Sequence, residues 1–259
     1  SARVFTVNAG TGGDSAELSG ELSGTSTAGL NKQGSGQLTL SAANSYAGPT
    51  TVSAGALVIS NATALGAAAL GGSNTTSVSD GANLQLTGGV ATDPNESLTI
   101  SGTGGAINAG SLHAGTGGGT WAGPIALGTS ARIGATPGNT LTVTGTIANG
   151  TVSGLAISGQ GNTGVVVLNP TSPNTYTGQT NIVRGTLRLG QTNALPVTTV
   201  LDAKDAANSS DVAIFDLAGF NQELAGLFDT GANNNDTIIN SVAATTSTLT
   251  INSASARTF

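Results

Sequence analysis

Ser15, preceded by Gly13 and Asp14, and His113, the sole histidine, are the pair a nucleophilic hydrolase would need. In such a relay the imidazole takes the hydroxyl proton while a carboxylate orients the imidazole. No acid lies within fifteen residues of His113, so the simpler reading places it in a surface turn between Gly and Ala neighbours. Asp80, Asp93, Glu96 and the seven acids after position 200 raise the question of calcium. The chain has neither a Gly-Gly-x-Gly-x-Asp nonapeptide nor an Asp-x-Asp-x-Asp-Gly loop, and scattered solvent-facing acids explain these residues better. Polysaccharide cleavage needs paired carboxylates in a groove; Arg184 and Arg188 could flank one, but no acids cluster beside them in sequence. Trp121, in the glycine run Gly115-Thr-Gly-Gly-Gly-Thr-Trp121, is the candidate ligand contact. It could stack on a sugar, although tryptophan is more often buried. The expectation is no catalytic residue, no cofactor and no metal.

The elements that would hold these residues are of an unusual kind. Charged residues make up 8% of the 259 and aromatics 3%, with 40 glycines, whereas ordinary domains carry about 25% charge. Such a composition cannot fill a thick core, but it suits a stack of thin coils with Val, Ile and Leu inward and Gly, Asn and Ser at corners. Cysteine is absent, so disulfides contribute nothing. A net charge of −6 with seven scattered Lys and Arg excludes a nucleic-acid footprint. No apolar run is long enough to cross a bilayer as a helix, and there is no basic-then-apolar leader, so a signal peptide is expected to be removed or to lie outside this sequence.

Short alternating segments recur along the chain: Arg3–Val7, with Val4, and Phe5 if it is flipped, expected on the apolar face, Leu38-Thr-Leu40, Leu57-Val-Ile59, Thr76–Gly88, Leu98-Thr-Ile100, Ala131-Arg-Ile133, Leu141-Thr-Val143 and Ala213–Gly219. Gly, Asn or Pro separates them, and the dipeptides of tight hairpins are scarce. Ala62–Leu70 and Asp202–Ala207 are the only helix-like stretches, and each reads as a single turn. At an offset of 130, Asn44, Tyr46, Gly48, Gly55, Leu57, Ala64 and Leu65 meet Asn174, Tyr176, Gly178, Gly185, Leu187, Ala194 and Leu195. Gly20-Glu-Leu22 returns as Gly145-Thr-Ile147 at an offset of 125. A period this long, made of short strands, indicates a solenoid. The chain therefore reads as two tandem units, 1–130 and 131–259, of about 125–130 residues each, forming one continuous stack of coils about 20–25 residues long.

The repeated core, Lys32-Gln-Gly34 through Leu40, Asn44-Ser-Tyr46-Ala-Gly48, Thr50-Thr-Val52, Gly55-Ala-Leu57 and Ala64-Leu-Gly66, resembles the autotransporter-associated β-strand repeat of bacterial passenger domains. The second copy departs from it: Ala156-Ile-Ser-Gly159 replaces the Lys-x-Gly opening, Pro170 and Pro173 imply a corner two residues longer, and Pro196 replaces Gly66. The resemblance implies an all-β, right-handed parallel β-helix at the cell surface or outside the cell, serving adhesion, aggregation or display. On that fold Leu38, Leu40, Val52, Leu57, Ile182 and Leu187 would point inward. Gly48, Gly55, Gly178 and Gly185 would sit at corners. Asn44 and Asn174 would bond turn backbone and stack as a ladder, while Tyr46 and Tyr176 cover adjoining coils. Gly13-Asp-Ser15 resembles the nucleophile segment of a lipase family found among such passengers, but Ala16 stands where Leu is expected and no Asp-x-x-His follows.

The expected function is a non-enzymatic stalk or self-associating fibre segment, with self as partner, end to end or lateral. The alternatives are an adhesin that binds glycans or a host surface protein, using Trp121 and residues 202–236, and a polysaccharide-active enzyme. With no capping segment evident, the ends are expected to continue into a longer chain or to dock on neighbouring copies.

Overall fold

The structure, a computed structural model, describes residues 2–10, 14–24, 28–66, 75–105, 110–149, 153–203, 210–231 and 235–253. They form a parallel β-solenoid of about nine turns. Every strand pairing among the described residues is parallel.

Three files of strands run along the stack. The first joins Arg3–Thr6, Leu30–Gln33, Thr50–Val52, Thr75–Val78, Ser97–Gly102, the start of Ile125–Ala135, and Ile147–Asn149. The second joins Ser15–Leu18, Gln37–Leu40, Ala56–Ile59, Asn83–Leu86, Leu112–Ala114, the end of Ile125–Ala135, Leu155–Gly159 and the start of Thr180–Leu189. The third holds Gly119–Trp121, Thr140–Val143, Val165–Leu168, the end of Thr180–Leu189, Ala213–Asp216 and Thr237–Ile239.

Because side chains alternate along a strand, one residue type in phase is enough to build a core file. Leu38, Leu57, Leu84, Leu112, Ile133, Ile157 and Ile182 lie over one another in register, each at most 1% exposed. Leu40 and Ile59 start a second inward row and Val52 belongs to the first file's, while Leu187 and Leu189 belong to the third's; all are buried. The Leu38 row continues past Ile182 to Ala203 and then Asp229. There, behind the smaller Ala203, a cavity of about 180 Å³ opens among Ile182, Leu201, Phe215 and Leu227.

Three local expectations change. In the first strand Arg3 and Phe5 take the inward phase, pairing with buried Leu30 and Lys32, and Val4 is exposed. Thr76–Gly88 is two strands, Thr75–Val78 and Asn83–Leu86, joined by a corner at Asp80-Gly81 where the Ala82 amide donates to Ser79 O at 3.0 Å. The helix-like stretches split: 62–65 form turns and Asp202 lies in the strand Val200–Ala203, while 67–70 and 204–207 fall outside the described residues.

Gly55 and Gly185 both adopt positive φ, +67° and +75°. A Cβ on Gly55 would stand 2.4 Å from Gly36 O, and one on Gly185 2.5 Å from Gly159 Cα. Gly55→Ala therefore combines left-handed strain of about 1–3 kcal/mol with a backbone clash. A fall in the denaturant midpoint is expected; an unchanged midpoint would show that this corner yields freely. Gly48 and Gly178 are pressed equally close, to the backbone of Gly29 and Ser153.

The 130-residue repeat is not a whole number of turns. Val52 lies in the first file and its counterpart Ile182 in the second; Leu57 lies in the second and its counterpart Leu187 in the third. The second copy thus sits one face further round the stack. The boundary at 130/131 falls inside the strand Ile125–Ala135.

Candidate functional site

Ser15 and His113 both lie on the second file, but four strand steps apart, through Gln37, Ala56 and Asn83 to the strand holding His113. At about 4.8 Å per step that is roughly 19 Å, far beyond a proton-transfer contact. His113 does not sit in a turn. It is wholly buried in the strand Leu112–Ala114, its Nε2 3.1 Å from Gln85 Oε1, and burial pushes its pKa down to about 4. This pair cannot form a relay.

Arg184 and Arg188 do have acids beside them, contrary to the expectation from sequence. Arg184 lies 3.9 Å from Asp211, and Arg188 Nε donates to Asp216 at 2.7 Å. Each pair spans adjacent turns. Asp216 is fully buried, which works against its charge, but it also accepts from Ser241 Oγ at 2.7 Å and from the amides of Ser241 and Ala218 at 3.0 Å. Together these hold its carboxyl below the ordinary range. Such a saturated acid clamps turns together and has no lone pair left to serve as a base. Among the described residues no three His, Cys, Asp or Glu side chains gather to hold a metal.

Trp121, the candidate ligand contact, is fully buried, at the start of an inward row with Val143, Leu168 and Leu189. The strand Gly119–Trp121 alternates in phase with Leu141-Thr-Val143, which turns the indole inward.

Asn44 and Asn174 do not stack as a ladder; they lie on different faces. Each replaces a piece of strand pairing. Asn44 Oδ1 accepts from Leu22 N at 2.7 Å while Nδ2 donates to Ala64 O at 2.6 Å. Asn174 repeats this with Ile147 N at 2.6 Å and Ala194 O at 2.8 Å. Tyr46 and Tyr176 are interior residues, fully buried, with hydroxyls 2.7 Å from Thr50 and Thr180 Oγ1. Burial drives both phenol pKa values up.

Sequence reasoning missed two buried ionisable groups. Lys32 is 0% exposed, and its ammonium donates to Gln33 O and Gly34 O at 2.8 Å and Ala54 O at 3.1 Å, with burial lowering its pKa. Its pairing with Phe5 and Val52 was the available signal: it stands in an apolar phase. All three ammonium protons are satisfied, so Lys32 ties a corner shut. Glu96 is 3% exposed and accepts from Thr76 Oγ1 at 2.7 Å.

The comparison with known families follows this geometry closely. The pattern described as a passenger-associated-transport-repeat matches residues 30–59 and again 160–189. The chain carries two passenger-associated-transport-repeats. Their bounds enclose both Asn–Tyr–Gly corners and the strands on either side. No curated protein and no solved structure matches the chain. The repeats and the solenoid are consistent with an autotransporter passenger domain built of β-strand repeats, and such repeats imply a secreted or surface protein. No helix among the described residues is long and apolar enough to cross a membrane, which says nothing of a β-barrel.

Just before and within the second passenger-associated-transport-repeat, the register explains the departures from the first. Ile157 takes the place of Lys32, because Ile157 pairs with Ile182 as Lys32 pairs with Val52. Six positions separate Leu168 from Asn174 where four separate Leu40 from Asn44, the two extra residues falling at Pro170 and Pro173.

Proposed function

We propose that this chain is a non-enzymatic structural segment of an exported surface protein, a rigid spacer that also associates with its own kind along the stack axis. The observation that carries this reading is the unbroken inward row from Leu38 to Ile182, one residue per turn. Chemistry-bearing side chains of the stack, Asp216, Arg188, Lys32 and His113, are engaged in joining or filling turns. An axial contact would use the strand edges of the last described turn. Thr237–Ile239 and Leu249–Ile251 each pair on one side only among the described residues, and Ile238, Ile239, Val242 and Ile251 are exposed beside them. An unpaired strand edge is a template for another strand, whether of a further turn of the same chain or of a second copy.

Electron microscopy combined with sedimentation tests both halves. The spacer reading expects rods in which each copy adds about 43 Å, nine turns at ~4.8 Å. Compact particles would overturn it. Association expects the rods to lengthen with concentration, and Ile238→Lys together with Ile251→Lys to return them to single copies. A monodisperse monomer at high concentration would overturn the association and leave the spacer standing.

A further inference from the structure

Between Tyr46 and Glu96 a line of polar side chains runs through the interior. Tyr46 hydroxyl lies 2.7 Å from Thr50 Oγ1; Thr50 and Thr76 are register partners on adjacent turns; and Thr76 Oγ1 donates at 2.7 Å to Glu96 Oε1. All four residues are at most 3% exposed. The second repeat has the same start and a different end. Tyr176 hydroxyl contacts Thr180 Oγ1 at 2.7 Å, Thr180 contacts Thr199 Oγ1 at 3.1 Å, and Thr199 donates to Gly178 O at 2.9 Å. One chain ends on an ionisable carboxyl and the other on a peptide carbonyl.

We propose that Glu96 is a pH-sensitive latch: protonated, it closes the turns from Thr50 to Leu98 on one another, and its ionisation loosens those turns while leaving the second repeat untouched. This inference is independent of the spacer reading. A carboxyl without charge can sit in this interior on hydrogen bonds alone, whereas a carboxylate there has no ion-pair partner among the described residues. The groups that act on it are few. Asp93, on the same corner, opposes its ionisation, and Glu96 in turn acts on the Tyr46 phenol, as Arg3 does with the opposite sign. Lys32 directs its ammonium to carbonyls at the other end of the same strands. Burial, with Asp93 adding to it and the Thr76 bond opposing, raises the Glu96 pKa from 4.5 to about 7. The sign follows from linkage: the folded state holds the proton more tightly, so stability is full below 4.5 and is lost as pH rises to 7.

Hydrogen exchange on the whole chain, corrected for intrinsic rates, tests this. Between pH 5.5 and 8.5 the local opening constant at Val52, Val78 and Leu98 is expected to rise about 30-fold, the value for a carboxyl moved from 4.5 to about 7. Amides at Ile157, Ile182 and Leu201 should stay level, and Glu96→Gln should flatten the first set. A rise that persists in Glu96→Gln, or equal rises in both repeats, would overturn the latch. Should that variant fail to fold, a carbon-13 carboxyl titration of the unaltered protein decides: a Glu96 midpoint near 7 supports the latch and one near 4.5 overturns it.

Discussion

Trp121→Ala is expected to cost about 3–5 kcal/mol, the range for deleting a buried Trp, and to split unfolding into two transitions. The indole is the largest fully buried side chain in the molecule. It begins the row that continues through Val143, Leu168 and Leu189, so its loss leaves a void against which only the adjoining turns can relax. In a stack, each turn is stabilised chiefly by its neighbours, and a weak interface separates the array into blocks that melt apart. Denaturant unfolding followed by circular dichroism should show the second transition. Trp121→Phe, which keeps much of the volume, should retain a single one. If Trp121→Ala unfolds at the original midpoint, the indole is not packed as described.

Asn174→Ala ranks beside it. The side chain bonds the amide of Ile147 on one turn and the carbonyl of Ala194 on another, at 4% exposure. Removing it orphans a donor and an acceptor together, at about 1–3 kcal/mol each. The expected loss is therefore about 2–6 kcal/mol, concentrated at Ile147 and Ala194, where amide exchange would report it locally. Asn44→Ala should behave alike, since Leu22 N and Ala64 O stand in the same relation to it. If either variant loses no more than an exposed Asn→Ala change would, water must enter and satisfy the freed groups.

The solenoid was legible because its rule is local: apolar residues at every second position, Gly or Asn at the corners, and a recurring motif. Leu38, Leu57 and Leu187 follow that rule and are inward. Trp121 and Lys32 follow it too, for both stand in phase with inward neighbours; the usual burial of tryptophan already pointed inward for Trp121, whereas a formal charge concealed Lys32. The charge is tolerated because three carbonyls converge on one corner, a property of two adjacent turns that no single strand displays. His113 misled for the same reason: Gln85 reaches it from 28 residues away. The rotation of the second repeat was hidden by uneven turn lengths. Leu30 to Thr50 is 20 residues while Leu98 to Ile125 is 27, so counting residues does not count turns.

That rotation has a geometric corollary. In a chain built from such units, each motif would advance by one third of a revolution, and three would be needed before the starting azimuth returned. Corner loops belonging to successive motifs would then wind about the axis as a single threefold screw, presenting the same chemistry on three sides instead of along a single ridge.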